Sequence, residues 1–576
     1  MSARVIRRRE HSQAVTLPES IHPLLRRLYA ARGVREADEL ELGLDQLIPV
    51  SRLGGISAAV DVLCRHFAQR SRIMVVGDFD ADGATSTALV VRQLRRLGFA
   101  AVDFLVPNRF EYGYGLTPQI VQLAARQQPA LIVTVDNGIA SHAGVAEAHA
   151  LGIETLVTDH HLPADTLPAA AAIVNPNAPG DTFPSKALAG VGVAFYLMAA
   201  LTREMQQRGL CANPPSVADF LDLVALGTVA DLVPLDRNNR VLVRQGLRRI
   251  RGGRCLPGIR ALLEASGRTA AGVVAGDLGY QVGPRLNAAG RLDDMTVGIQ
   301  CLLADDLDSA RVFAGRLSQL NHDRRELELQ MQQEAMLTIA GMRDSADLPL
   351  GLCLFDESWH QGVVGLVASR IKDKVHRPVI ALARGDAQWL KGSARSVPGV
   401  HIRDVLDAVA SRRPGLIEKF GGHAMAAGLT LAAERLEDFR RAFDEEVSRW
   451  MTTDDTQGVL HTDGELAHTD MTLATAHLLR ESGPWGQAFP EPLFDGRFEV
   501  RSVRVLTERH LKMELADGIG LSYEAIAFRH FDHDDAVQVA PRDRVHLAYR
   551  LDVNQYNGLE KLQLVVEHLE VVTDAG

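Results

Sequence analysis

Between residues 57 and 157 short apolar runs alternate with stretches that space their apolar positions as helices do. Strand-like runs fall at 73–77 (Ile-Met-Val-Val-Gly), 101–106 (Ala-Val-Asp-Phe-Leu-Val), 131–135 (Leu-Ile-Val-Thr-Val) and 153–157 (Ile-Glu-Thr-Leu-Val), with helical patterns at 85–97, 117–127 and 142–150. This alternation predicts an α/β domain with a doubly wound, mostly parallel sheet, which we place at 51–240. Before it, Ile21, Leu24, Leu25 and Leu28 follow helical spacing and predict a small helical lead-in over 1–50. Residues 241–343 read as helical, ending in a long charged stretch (305–343) that can connect two domains and whose charges predict a solvated face. Alternation resumes over 344–450, with strands at 350–355, 378–383 and 425–430 and helices at 362–374, 402–411 and 433–448, a second α/β domain. Beyond a Thr-rich linker near 451–457 the pattern shortens to period-two stretches at 497–506, 510–516, 521–528, 543–550 and 561–571, as expected of a small five-stranded β-barrel within 451–576.

Composition narrows the class without naming a chemistry. Of the 576 residues, 46% are hydrophobic and 23% charged, ordinary values for a globular protein. No apolar stretch reaches membrane-spanning length, and the N-terminal Arg4, Arg7, Arg8 and Arg9 lack the apolar run of a signal peptide, so a cytoplasmic protein with no membrane contact is expected, its basic start a solvated tail. The five cysteines (Cys64, Cys211, Cys255, Cys301, Cys353) have no CxxC spacing and predict neither a zinc knuckle nor a disulfide framework. A net charge of −10 argues against a protein that coats DNA, while leaving room for a local basic groove.

The acidic residues that follow the strands change the picture. After the first strand come Asp78, Asp80 and Asp82, which repel one another unless something positive sits among them. Asp78-x-Asp80-x-Asp82-Gly83 begins like an EF-hand loop, but Leu89 stands where the twelfth-position glutamate belongs and a strand precedes it. An ordinary acidic turn is the plainer alternative. Asp136 and Asn137 follow 131–135, and Asp159, His160 and His161 follow 153–157. In a parallel sheet these strand ends share one edge, where open α/β folds collect ligands. Asp231, among apolar neighbours before Pro234, is either a fourth member of this group or a helix-end cap. There is no G-x-G-x-x-G after the first strand and no G-x-S-x-G elbow, which argues against a dinucleotide site of that type and gives no sign of a covalent nucleophile. Arg285, Asn287 and Arg291 sit among glycines, where an arginine fork on phosphate and an interdomain salt bridge are both open. Ser393 and Arg395 after Gly392 read as a phosphate-cradling loop and His423 after Gly421-Gly422 as a substrate contact, with an ordinary turn residue the alternative for each.

In order along the chain, Gly77-Asp-Phe-Asp-Ala-Asp-Gly83, Val135-Asp-Asn-Gly138, Asp159-His-His161 and the segment around Asp231 resemble the four motifs of the DHH phosphoesterase family. Gly283-Pro-Arg-Leu-Asn-Ala-Ala-Gly-Arg291, Gly392-Ser-Ala-Arg-Ser396, Gly421-Gly-His-Ala-Met-Ala-Ala-Gly428 and Gly483-Pro-Trp-Gly-Gln-Ala-Phe-Pro490 extend the resemblance to the family's bacterial single-strand-specific exonucleases, from about residue 50 almost to the C-terminus. The resemblance implies metal ligation by Asp78, Asp80, Asp82, Asp136, His160 and Asp231, with Asp136 as bridge. It implies a phosphate-facing or supporting role for His161, and substrate contacts at Arg109, Arg285, Asn287, Arg291, Ser393, Arg395 and His423. Two Mn2+ or Mg2+ ions suit so oxygen-rich a donor set better than zinc does.

Residues 344–450 are similar to the DHH-associated domain, and the last part to an OB-fold, where Tyr523, Phe528, Arg529, Tyr549, Arg550 and Tyr556 are candidates for base stacking and strand binding. Gly483-Pro-Trp485 reads as interdomain packing. The function so implied is a 5′-to-3′ single-stranded-DNA exonuclease of repair and recombination, expected to be a monomer, whose partners by family analogy are single-strand-binding protein and a RecQ-type helicase. One alternative is a DHH phosphodiesterase of short oligonucleotides or cyclic dinucleotides, which has no need of the C-terminal barrel. Another is a non-catalytic single-strand binder, against which the intact carboxylate set argues.

Overall fold

The computed structural model describes residues 4–10, 17–108, 111–345, 348–532, 537–556 and 558–572. The chain divides into two compact units, one comprising residues 1–9, 322–476 and 493–576, the other residues 10–321 and 477–492. The first strand, β1 (Val5–Arg8), belongs to the former.

The second unit is built on a parallel sheet of β2 (Arg72–Gly77), β3 (Ala101–Leu105), β4 (Leu131–Val135), β5 (Glu154–Thr158) and β6 (Ala172–Val174), in the order β3-β2-β4-β5-β6. Ile73 to Val76 and Leu131 to Val133 are fully buried, as uninterrupted apolar strands require when helices cover both faces. The helices up to residue 251 are α1 (Pro23–Ala30), α2 (Ile56–Ala68), α3 (Ala81–Arg96), α4 (Pro118–Ala125), α5 (His142–Ala150), α6 (Gly190–Gln207), α7 (Leu221–Ala230) and α8 (Arg237–Arg251). Met74, Val76 and Ile132 point toward Ile120, Val121 and Val145 of α4 and α5. The alternate residues Ile73 and Val75 therefore face the other side. The strands lie within one residue of their predicted positions. Helix α3 instead begins four residues before the predicted 85, because Asp80 caps it and accepts the Gly83 N–H at 3.0 Å. Asp82 thus stands in a helix's first turn rather than in a loop.

The 39-residue helix Leu307–Ser345 occupies the long charged stretch and crosses the unit boundary. Its charges are not all solvated as expected. Arg324 and Glu328 are 8% and 6% exposed and paired with each other, and Arg370 Nε reaches Glu328 at 2.9 Å. A buried pair on a helix has the same i, i+4 signature as an exposed one.

The first unit holds a mixed sheet of β7 (Leu352–Phe355), β8 (Val379–Arg384), β9 (Trp389–Arg395), β10 (Lys419–Gly422) and β11 (Ala426–Ala432), ordered β10-β11-β9-β8-β7. Only β7 and β8 pair in parallel. The helices Val364–Val375, Ile402–Arg412 and Leu436–Val447 belong to the same unit, and Ile402, Val405, Phe439 and Phe443 share a buried core with Leu382, Leu390 and Leu431 of the sheet. β1 pairs in parallel with β12 (Val459–Thr462), so residues expected to be helical or a solvated tail are a strand, with Arg8 and Arg9 ion-paired to Asp495 and Asp463. The last five strands, β13 (Phe494–Leu506), β14 (His510–Ala516), β15 (Ser522–Ala527), β16 (Arg544–Tyr556) and β17 (Leu559–Val571), close into a barrel in the order β13-β14-β15-β17-β16.

Among the described residues no single helix is long and apolar enough to cross a membrane. The segments Leu44–Arg52 and Ile56–Ala68 meet that test only as a pair bent by 82°.

Candidate active site

Strands β2, β4 and β5 lie side by side, and the chain leaves each at the same edge through acidic or imidazole residues. Backbone groups fix almost every one of them. Asp78 accepts the Phe79 N–H at 2.8 Å. Both oxygens of Asp82, 1% exposed, accept N–H groups from the start of α6: Gly190 at 2.6 Å and Val191 at 2.9 Å. That end of a helix favours negative charge. Asp136 leaves β4 with φ +60°, in the left-handed region. Its neighbour Asn137 turns inward and donates to Val76 O at 3.1 Å and Val135 O at 2.9 Å, tying the ends of β2 and β4 together. A Cβ on Gly190 would stand 2.7 Å from Asp136 Cβ and Oδ1, so α6 approaches this closely only because it begins with glycine.

After β5 the two histidines have different settings. Buried Asp159 accepts N–H groups from Ile139, His160 and His161 at 2.9, 2.7 and 3.1 Å, and holds His161 Nδ1 at 2.7 Å. His160 instead turns its Nε2 to Asp136 Oδ1 at 3.1 Å and Asp231 Oδ2 at 3.6 Å. Asp231 sits at the C-cap of α7. A carboxylate at that end of a helix opposes the macrodipole, so capping does not account for it.

Potential ligand atoms gather in three overlapping groups: Asp78, Asp80 and Asp136; Asp82, His160 and Asp231; Asp136, His160 and His161. Within each group all atoms lie within 4.8 Å of one another. The electrostatics match a site short of positive charge. Burial raises the Asp136 carboxyl well above its ordinary value, and Asp82, Asp80, Asp78 and Asp231 raise it further. Burial and then Asp80 push Asp82 up to about 7, and burial with the same acidic neighbours raises Asp231. Asp159 goes the other way: burial raises it, but the hydrogen bond and charge of His161 and the backbone N–H groups more than offset that. The same pairing outweighs burial at His161 and raises its pKa, favouring the imidazolium. Asp136 Oδ1 is buried without a hydrogen bond. An unsatisfied buried oxygen among mutually repelling carboxylates fits a divalent cation, and oxygen donors with imidazole suit Mn2+ or Mg2+.

Two positions were given no role by the sequence reading. Tyr114 OH lies 3.4 Å from Asp136 O and 3.4 Å from both ring nitrogens of His161, and its ring meets Phe79 edge to face at 6.0 Å. It follows β3, so the rule that found the other clusters applies to it as well. Asp159 stood within a quoted motif, yet its work of aiming His161 is a matter of geometry alone.

The remaining candidates fall in several settings. Asn287 Oδ1 accepts the Ala81 N–H at 2.7 Å, and a Cβ on Gly290 would lie 1.8 Å from Phe79 O. The helix Gly283–Leu292 therefore braces the acidic loop, and the close approach read from its glycines is to the chain's own backbone. Arg285 bonds Ser318 Oγ and the carbonyls of Gln281 and Ala265, and Arg291 lies in the last turn of that helix. Arg109 lies outside the described residues.

In the other unit Ser393 and Arg395 stand on strand β9, not in a loop, with Arg395 Nη1 2.9 Å from Ser393 Oγ. Gly392 and its small neighbours suggested a turn. Here the glycine makes room for Leu382 and Leu429 of the flanking strands, whose side chains a Cβ would meet at 2.6 and 2.8 Å. Gly365, in the first turn of the helix Val364–Val375, lies against Ser393 and Arg395. His423 is exposed between β10 and β11. On the barrel, Tyr523 and Tyr549 are core residues (8% and 2% exposed), whereas Phe528 is 56% exposed. Arg529 is exposed, Arg550 pairs with Glu567, and the Tyr556 side chain lies outside the description.

Family models match three stretches: the DHH family N-terminal domain at residues 72–228, the DHHA1 domain at 349–449 and the RecJ OB domain at 462–568. A single-stranded-DNA-specific exonuclease RecJ from Dickeya dadantii is 54% identical, with 98% of each chain covered. The crystal structure of RecJ in complex with Mn2+ from Thermus thermophilus superposes with a TM-score of 0.78 at 31% identity, covering 96% of this chain and 76% of that one. The Mg2+ complex from the same organism gives 0.73 at 29% identity over the same shares.

Proposed function

The chain belongs to the RecJ family, and from that premise we propose that it is a metal-dependent exonuclease that hydrolyses single-stranded DNA from the 5′ end. The observation that carries the proposal is the meeting of Asp78, Asp80, Asp82, Asp136, His160 and Asp231 in overlapping ligand groups at one sheet edge. We assign Asp78, Asp80 and Asp136 to one divalent ion and Asp82, His160 and Asp231 to the other, with Asp136, 3.1 Å from His160, reaching both. Two such ions, Mn2+ or Mg2+, held by these residues would supply neutralisation of charge on the scissile phosphate and a more acidic attacking water.

The chain's own residues do the positioning. The α6 N–H groups hold Asp82, Asn137 fixes the strand ends beneath Asp136, and Asp159 holds and aims His161. His161 is thereby suited to donate to a phosphate oxygen. Arg109, Arg285, Asn287 and Arg291 in one unit and Ser393, Arg395 and His423 in the other are proposed substrate contacts. Arg395 beside the N-terminal turn of the helix Val364–Val375 is the arrangement most suited to a terminal phosphate.

The family resemblance adds a monomeric, cytoplasmic enzyme of repair and recombination that works with single-strand-binding protein and a RecQ-type helicase. Products from strands labelled at either end, with and without Mn2+, test the reaction. A 5′ label should appear at once as a mononucleotide while a 3′-labelled strand shortens step by step. Early release of the 3′ label overturns the polarity, and cleavage confined to strands of a few nucleotides favours a short-oligonucleotide phosphodiesterase.

A further inference from the structure

The motif Gly483–Pro490 takes no part in the chemistry above. It lies within the same compact unit as α1 and α8, where Trp485 stacks on Phe489 at 5.3 Å and on Tyr29 at 6.0 Å. With α8 and residues 40–43 it walls a cleft of about 390 Å3. Arg240, Arg244 and Arg248 line that cleft, four residues apart and so on one face of the helix.

Arg240 is the unusual member. It is 5% exposed, its guanidinium lies 4.3 Å from the centre of the Phe489 ring, and its buried Nε has no hydrogen-bond partner. Among the described residues no acceptor is bonded to this guanidinium. Arg244 Nη1 bonds only the main-chain carbonyls of Glu481 (2.6 Å) and Gly483 (3.3 Å), and Arg248 is exposed. The acidic residues at the cleft, Glu41 and Glu481, are exposed, and neither carboxylate is hydrogen-bonded to the three arginines among the described residues. A buried cation without a bonded acceptor is costly, and burial lowers the Arg240 pKa by more than the charges of Glu39, Tyr29 and Asp236 raise it.

We propose that this cleft binds a small phosphate-bearing anion of mononucleotide size. The forked guanidinium donors match phosphate oxygens in pairs. The buried Tyr29 and Phe489 line part of the cleft, and the volume lies within the range of small-ligand pockets, roughly 300–1,000 Å3. The inference is independent of the metal-centre assignment.

Calorimetric titration of the full-length protein in EDTA, with deoxyadenosine 5′-monophosphate, inorganic phosphate and a short acidic peptide as probes, tests it. The mononucleotide should bind more tightly than phosphate. Arg244→Gln and Arg248→Gln should each weaken it by about tenfold, the loss of one charge-assisted contact, with melting temperatures showing both variants folded. Arg441→Gln, at an exposed arginine outside both proposed sites, should leave the affinity unchanged. Arg240→Lys, which keeps the charge without the fork, should also weaken binding. Unchanged affinity in both Arg244→Gln and Arg248→Gln, loss in Arg441→Gln alone, no mononucleotide binding, or tighter binding of the peptide would each overturn the proposal.

Discussion

Among the regions of this molecule that bury aspartates, two treat them in opposite ways. At the edge of the parallel sheet Asp136 is 2% exposed, has an oxygen that makes no hydrogen bond although His160 Nε2 lies 3.1 Å from it, and is raised by burial and by its acidic neighbours. On barrel strand β13 Asp495 is 1% exposed, yet Arg8 Nη2 reaches it at 2.7 Å, Thr462 Oγ1 at 2.6 Å and His546 Nε2 lies 3.6 Å away. Burial raises Asp495 too, but Arg8 and Thr462 outweigh it and the pKa falls below the usual value. One site carries its countercharge in the chain; the other requires it from outside. Buried carboxylates mark a ligand site only where the chain leaves the charge uncompensated.

The contrast can be broken most directly at Asp136. Asp136→Ala should abolish nuclease activity, by more than the roughly 100-fold that outer-shell changes cost, while the protein stays folded. The rise in melting temperature on adding Mn2+ should also shrink sharply. Near-normal turnover at saturating Mn2+ would remove Asp136 from the centre.

The next effect comes from Gly190→Ala, whose new Cβ would stand 2.7 Å from Asp136 Cβ. Displacing α6 disturbs both Asp136 and the N–H groups that hold Asp82, and a loss of roughly 10- to 100-fold in kcat is expected, as for other ligand-orienting residues. Full activity in Gly190→Ala would show that the site tolerates a looser support.

Titration sharpens the comparison because the two regions carry opposite signs. Asp82 is raised from 3.8 to about 7, so between those values the folded protein holds a proton that the unfolded chain has released. In EDTA the stability linked to Asp82 is greatest below pH 3.8 and is lost as pH rises toward about 7. Mn2+, which binds the ionised form, should reverse that loss. Asp495, lowered from 3.8, contributes fully above that value and loses its contribution as pH falls through its folded pKa. Melting temperatures of Asp82→Asn and Asp495→Asn against the parent, from pH 3 to 8, should diverge at opposite ends of the range. Parallel profiles would mean that both sites are neutralised in the same way.

What sequence alone conveyed follows the same division. The acid clusters were legible because each is local, sits directly after a strand, and is brought to one edge by parallel topology. Asp495 with Arg8 was not: the partners are 487 positions apart, and four arginines near a terminus look like a tail. The barrel strands were readable from alternation, but alternation gives no absolute facing, so Tyr523 and Tyr549 could be placed in the core only by structure. Gly392-Ser-Ala-Arg was read as a loop because small residues mimic a turn, whereas here they let a strand pack between two leucines. Arg324 and Glu328 looked solvated because burial leaves no mark on a charged helical repeat.

The smallest effect tests the self-sufficient region. Arg8→Ala leaves Asp495 buried without its fork and cuts the side-chain tie between β1 and the barrel. Hydrogen bonds to a charged group contribute about 1.5–3 kcal/mol. The Arg8 side chain is 55% exposed, so solvent screening should hold the cost near the lower end. Thr462 and His546 remain to share the charge. The variant should melt a few degrees lower, and the difference from the parent should shrink in concentrated salt. Arg8→Lys should recover only part of it, since a point charge cannot reproduce the two-nitrogen contact. Turnover and the Mn2+-induced rise in melting temperature should match the parent. A variant that lost its response to Mn2+ would show that the barrel's carboxylate and the sheet-edge carboxylates are energetically one system, and the distinction between a compensated and an uncompensated site would fail.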